Sequence, residues 1–426
     1  MSMNREQALA LDAADTLAPL RELFSLPDGL IYLDGNSLGV LPRATAARVQ
    51  AVVTQEWGCD LIRSWNSAGW MDLPQRIGDK IARLVGAGAG ELVVADSTSV
   101  NLFKVLSAAL AIAAADAPQR RRIVSERSNF PTDLYIAESL ARQRGLELVL
   151  AEPDEITGLM DERVAVLMLT HVNYRTGRLH DMAALSQAAH EAGALAVWDL
   201  AHSAGAVPVD LRGDGADFAV GCGYKYLNGG PGAPAFVWCH PRHAERFWQP
   251  LAGWMGHAAP FEFTPGYRPA AGIARYLCGT PAVLSLAALE CGVDTLLAAE
   301  PLGGMAALRA KSLALTSLFA ARVQALCPEL ALISPPQDVR RGSQVCLAHG
   351  EIAYPVVQAL IARGVIGDFR AGDPSHPAGA VDILRFGFTP LYLRFADAWD
   401  AAEHLHQVLS TGEWRQPAFI QRRAVT

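Results

Sequence analysis

Several things are missing from this chain, and each absence removes a class of protein. Its seven cysteines (Cys59, Cys222, Cys239, Cys278, Cys291, Cys327 and Cys346) are odd in number and have no paired spacing. That pattern does not support a disulfide framework or a zinc site, and it fits a reducing compartment. Cys222 lies near Lys225, but nothing beside it in sequence would lower its pKa. Basic charge is scarce: the net charge is −7, and the densest cluster, Arg120–Arg122, reads as a solvated turn entering a strand. Non-specific nucleic-acid and anionic-membrane binding are therefore not expected. The first residues show no charged-then-apolar leader pattern, and no stretch approaches the ~20 apolar residues of a membrane span. The alanine-rich run 105–117 suits a packed helix. Neither repeats nor low-complexity tracts occur. With 426 residues, 51% hydrophobic and 19% charged, the expectation is a cytoplasmic globular protein with a large core and two domains.

What the chain does have is alternation. Between about residues 91 and 240, short apolar runs predict strands at 91–95, 122–125, 146–150, 164–170, 194–199, 217–220 and 235–239. Helical segments over 99–115, 132–144 and 181–192 separate them. Apolar strands with no polar alternation, spaced by helices, imply a mostly parallel sheet covered on both faces. Residues 5–24 have helical periodicity, and 31–42 read as a glycine-containing extended arm. Long helices over 281–325 break at Pro301–Gly304. Beyond 330, strand-like pieces mix with helices at 354–363 and 396–410. The expected organisation is an N-terminal helix and arm (1–45), a large domain (46–290) and a smaller α+β domain (291–426).

In open α/β sheets, ligands sit at the carboxyl ends of the strands, and polar residues collect at those positions here. Asp96-Ser97-Thr98-Ser99 runs from strand into helix, where hydroxyls and free backbone N–H groups can hold a phosphate; an ordinary helix cap explains the same residues. Asn129-Phe130-Pro131-Thr132-Asp133 puts an aromatic ring at a helix start. Thr170 ends one strand. Asp199, with His202 three residues on, ends the apolar run 194–198, and a carboxylate there is costly to bury without a cationic partner. Lys225 follows in the glycine-dense segment Gly221–Gly232, which permits close backbone approach. A strand-end acid followed by a lysine in such a turn suits pyridoxal 5'-phosphate (PLP): the lysine forms the Schiff base, and the acid keeps the pyridine nitrogen protonated. Singly each motif is modest. Their order on one sheet makes the combination strong.

These motifs resemble those of the kynureninase family, fold-type I PLP enzymes of tryptophan catabolism, from about Tyr32 to Tyr392. The resemblance rests on Tyr32–Gly39, Phe130–Asp133, Asp199–His202, Tyr224–Gly232 and Gly253-Trp254-Met255-Gly256-His257. It implies a fold-type I PLP-dependent transferase-like α/β fold, its large domain built on a mostly parallel seven-stranded sheet. It also implies hydrolysis of L-kynurenine to anthranilate and L-alanine, and a homodimer. Lys225 would bind the cofactor covalently, Asp199 would pair with its ring nitrogen near His202, and Tyr224 would relay a proton. Thr98, Ser99 and Tyr224 would hold the phosphate, with Phe130 stacked on the ring and Asp133 and Thr170 nearby. Trp254 and Thr280 would reach the site from the partner subunit. Arg385 would clamp the substrate's α-carboxylate, with Asn36, Ser37 and Trp65 as further substrate contacts. Trp65, Gly279 and Thr280 stand where members preferring 3-hydroxykynurenine differ, so L-kynurenine is the expected substrate. The rival readings are a cysteine desulfurase and a degenerate, non-catalytic binding protein; Cys327 and Cys346 lack the glycine- or serine-rich loop of a desulfurase nucleophile.

Overall fold

The computed structural model describes residues 4–373, 379 and 381–422. The chain divides into two compact units: residues 1–43, 174–179 and 295–426 form one, and 44–173 with 180–294 the other. The N-terminal arm thus belongs with the C-terminal residues, as does the six-residue excursion 174–179.

The larger unit is built on seven strands: β1 (Leu92–Val94), β2 (Arg122–Glu126), β3 (Glu147–Ala151), β4 (Val164–Thr170), β5 (Leu195–Asp199), β6 (Phe218–Gly221) and β7 (Phe236–Cys239). Their order is β1-β7-β6-β5-β4-β2-β3. All neighbours are parallel except that β7 runs antiparallel to both β6 and β1. The expectation of a mostly parallel seven-stranded sheet is met. Every residue of β4 is buried, as expected where helices cover both faces. Three helices follow strands: α1 (Thr98–Asp116), α2 (Pro131–Arg144) and α3 (Met182–Glu191). By length and composition α1 would pass for a membrane span, but 61% of it is buried inside the protein. Its Leu102, Val105, Leu106 and Ala109 join Val166, Val197 and Val220 in one core cluster.

Register carries the functional information. Thr170 lies opposite Asp199, and Asp199 opposite Val220. The three strand ends are therefore level, and the chain leaves β6 directly into the Lys225 turn.

The smaller unit holds a four-stranded antiparallel sheet. Its strands are β8 (Ala331–Leu332), β9 (Gln344–Ala348), β10 (Asp368–Arg370) and β11 (Ile383–Gly387), in the order β10-β11-β9-β8. Ile31–Tyr32 pairs in parallel with Val365–Ile366, and Asp34 bridges to Gly387. The arm is thereby stitched to the edge of β11. The helix expected over 5–24 stops at Ala14 and resumes as a tighter turn at Ala18–Leu23. Asp15 breaks it: its side chain accepts from the Leu17 N–H at 2.9 Å and pairs with Lys311 at 2.7 Å.

Candidate active site

The Lys225 loop is held open by glycines used for two distinct reasons. At Gly223 a Cβ would stand 2.3 Å from the Pro234 carbonyl, so the loop passes too close for any side chain. Gly230 takes φ +82, the left-handed region that side chains disfavour. Lys225 closes a turn by accepting the Asn228 N–H at 2.9 Å. Its Nζ lies 2.9 Å from Nε2 of the buried His202. The same Nζ is 5.9 Å from the Phe130 ring centroid and 5.7 Å from that of Tyr224.

Below this amine sit two buried acids. Asp199 Oδ1 accepts the Ala201 N–H at 2.7 Å. The Thr170 hydroxyl donates to Asn129 Oδ1, and Asp133 Oδ2, from the first turn of α2, lies 3.4 Å from the same hydroxyl. Neither acid has an ion pair within 4 Å among the described residues. Burial pushes the Asp133 carboxyl well above the usual carboxylate range, and Asp199's charge and hydrogen bond push it further. Burial also raises Asp199, while the Lys225 charge opposes that rise. Two adjacent buried carboxyls cannot both ionise cheaply. The pair therefore favours a single negative charge with one shared proton.

Beside Lys225 opens a cavity of about 530 Å³ lined by Asp96, Ser97, Thr98, Tyr224, Gly279 and Thr280, among others. Ser97 caps α1, its hydroxyl accepting the Val100 N–H at 3.3 Å. The first N–H groups of α1 have no partner within the helix, and the helix dipole makes this end electropositive. Thr98 is the first residue of α1 and lines this cavity. Ser99 is not among the lining residues; Ser97, part of the same motif but given no role by the resemblance, is. Thr280 also lines this cavity. Trp254 stacks edge-on against Trp65, ring centroids 6.0 Å apart, and Trp65 likewise against Trp70 at 6.0 Å.

Arg385, Asn36 and Ser37 lie in the smaller unit. Arg385 is fully buried, and its Nε donates to Asp368 Oδ1 at 2.8 Å. Its Nη2 donates to Asp368 Oδ2 and, at 2.8 Å, to Ser37 Oγ, while Nη1 donates to the Tyr174 carbonyl at 2.8 Å. Ser37 in turn donates to Asp368 Oδ2 at 2.8 Å, and Arg370 reaches the same oxygen at 2.6 Å. Burial works against ionising Asp368, but the Arg385 charge and hydrogen bonds hold its carboxyl below the ordinary value. Asp34, at the same edge, is pushed up to about 7 by burial and then by Asp368, against the pull of Arg385. Asn36 is wholly buried, and neither atom of its amide has a hydrogen-bond partner among the described residues. Sequence reading missed Asp368, Arg370 and Tyr174. The available signal was the acid-X-base triplet Asp368-Phe369-Arg370; its meaning depends on register, which sets Asp368 directly opposite Arg385.

A family model described as the kynureninase C-terminal domain matches residues 308–405. The curated kynureninase of Pseudomonas fluorescens is 56% identical over 427 residues, covering 99% of each chain. That of Burkholderia pseudomallei strain 1106a matches to the same extent. The chain belongs to the kynureninase family. Among solved structures, the apo cysteine desulfurase of Thermococcus onnurineus NA1 superposes with a TM-score of 0.77 at 18% identity, over 92% of this chain and 98% of that one. The cysteine desulfurase CsdA of Escherichia coli gives 0.76 at 21% identity, over 93% and 99%. At such identities these neighbours report the fold, which kynureninases and desulfurases share.

Proposed function

We propose that this protein hydrolyses L-kynurenine between Cβ and Cγ, releasing anthranilate and L-alanine, with pyridoxal phosphate as its cofactor. The observation that carries the reading is the pair of buried acids beneath Lys225, in a chain 56% identical over its length to kynureninases. The residues fit the cofactor. The Asp133–Asp199 pair would hold a protonated pyridine nitrogen, a cation it does not find within 4 Å among the described residues. A phosphate suits the electropositive start of α1 and the hydroxyls of Ser97, Thr98, Tyr224 and Thr280. When bound, PLP supplies an electron sink for charge developing at the substrate's Cα and Cβ.

The chain's own residues supply the rest. Lys225 would hold the cofactor through its ε-amine and would serve as the base at the substrate's Cα. His202 Nε2, 2.9 Å away, orients that amine. Asp199 would hold the ring nitrogen in its ionised form, with Asp133 keeping the shared proton. Tyr224, lining the phosphate-end cavity and close to Lys225, moves a proton as the γ-carbonyl is hydrated and the C–C bond breaks. Arg385 holds the α-carboxylate in a charge-assisted bond, its plane fixed by Asp368 along the Nε–Nη2 edge. Asn36 and Ser37 border that anchor. The Trp65–Trp254 pair receives the aniline ring, and its apolar faces offer little to a phenol hydroxyl, so L-kynurenine is preferred over 3-hydroxykynurenine.

The working form is a cytoplasmic homodimer. The exposed Trp57, Leu61, Ile62, Phe261 and Phe263 of the larger unit support a partner-facing surface. A desulfurase reading is disfavoured by the thiols: Cys327 and Cys346 are fully buried, and burial raises them to about 12 and about 11. The purified protein with L-kynurenine should release fluorescent anthranilate in a PLP-dependent manner, and 3-hydroxykynurenine should turn over less efficiently. Sulfide from cysteine without anthranilate from kynurenine would refute the proposal.

A further inference from the structure

We propose that Lys104 is a positioning residue for the phosphate end of the cofactor, tying together two walls of the cavity from inside the core. This rests on the reading of that cavity as the phosphate site. Lys104 lies on α1, six residues past its start, and its side chain is completely buried. A buried ammonium is tolerated only with close compensation, and this one has two partners. Nζ donates to the Asp96 carboxylate and, at 2.6 Å, to the Tyr276 carbonyl.

Both partners belong to the cavity's frame. Asp96 lines it directly and opens the Asp96-Ser97-Thr98 wall. Tyr276 ends the turn Gly272–Tyr276, and the next residues, Leu277–Ala282, form the facing wall that includes Thr280. One ammonium therefore fixes the spacing of two strips of chain whose hydroxyls and N–H groups converge on the same space. Asp96 is also held at φ +49, a backbone conformation that non-glycine residues seldom adopt and that persists where surrounding structure enforces it. The enforcing contacts are visible. Lys104 grips the side chain, the Ala235 N–H donates to the Asp96 carbonyl at 2.8 Å, and Asn101 Nδ2 donates to the Ala95 carbonyl at 2.7 Å. The bend at Asp96 sets the direction in which Ser97 and the first N–H groups of α1 face the cavity. A purely structural ion pair would stabilise the fold without discriminating between ligands. A pair that sets the width of a phosphate cradle acts on the phosphate alone.

That difference is the test. Full-length apoprotein is titrated with pyridoxal phosphate and, separately, with pyridoxal, following the absorbance of the lysine-bound aldehyde, with thermal melting alongside. The variants are Lys104→Met and the double variant Asp96→Asn/Lys104→Met; the latter removes the stranded carboxylate and keeps the test decisive if the single variant folds poorly. The expected result is a Kd for pyridoxal phosphate raised roughly tenfold or more, the scale of one charge-assisted hydrogen bond, with the Kd for pyridoxal unchanged. An unchanged ratio of the two affinities, or equal weakening of both, would overturn the role given to Lys104. Wild-type protein that binds both aldehydes alike would overturn the phosphate reading of the cavity, and the inference with it.

Discussion

The two units bury carboxylates in opposite ways. In the smaller unit, Asp368 is surrounded: two arginines and a serine hydroxyl converge on it, and its charge is compensated within the protein. In the larger unit, Asp199 and Asp133 are equally buried, yet neither has an ion pair within 4 Å among the described residues, and one of them keeps its proton. A compensated acid is a fixture, and here it makes Arg385 rigid. An uncompensated pair is a receptor, because burial makes a cationic partner worth more than it would be in water. The difference separates what the protein completes by itself from what it leaves to a cofactor.

Replacing Lys225 by Ala breaks the receptor side most severely. Turnover should fall by roughly a thousandfold or more if the proposed roles of anchor and base both belong to this lysine, and stopped assays of anthranilate would measure it. Asp199→Ala should come next, costing about a hundredfold in kcat and weakening cofactor binding. On the fixture side, Arg385→Lys keeps a charge but loses the fork that Asp368 grips. It should lower kcat/KM for kynurenine by about a hundredfold while leaving the spectrum of bound cofactor intact. Asp133→Asn sharpens the comparison, since an amide imitates a protonated carboxyl. It should keep activity within about tenfold of wild type, and a loss as large as that of Asp199→Ala would place the negative charge on the wrong acid.

The smallest effect concerns Asp34. Its folded-state pKa of about 7 lies above the ordinary carboxylate value, so the folded chain binds a proton that the unfolded chain releases near pH 4. Stability should therefore decline as pH rises from about 4 to 7 and level off above. Asp34→Asn should remove that decline in denaturant titrations performed across the range.

How much of this was legible in the sequence follows from the same contrast. Strand ends are local events. The runs ending at Thr170 and Asp199, and the glycines around Lys225, marked the receptor from spacing alone, and the parallel sheet followed from apolar strands alternating with helices. Asp133 was singled out, but its sharing of a proton with Asp199 was not, because that depends on how α2 approaches β5. Asp368 escaped notice because its partner Arg385 lies on a neighbouring antiparallel strand, and a one-residue slip would have pointed it elsewhere. Nothing in the sequence marks Lys104, since only tertiary packing shows its amine reaching Tyr276.

The central claim is that the amine at position 225 binds the cofactor over an acid pair completed by its ring. Reducing the PLP-loaded protein with borohydride and mapping the labelled peptide tests it most directly. The account predicts a single pyridoxyl group on Lys225, lost in Lys225→Ala; label on any other lysine, or none at all, would contradict it.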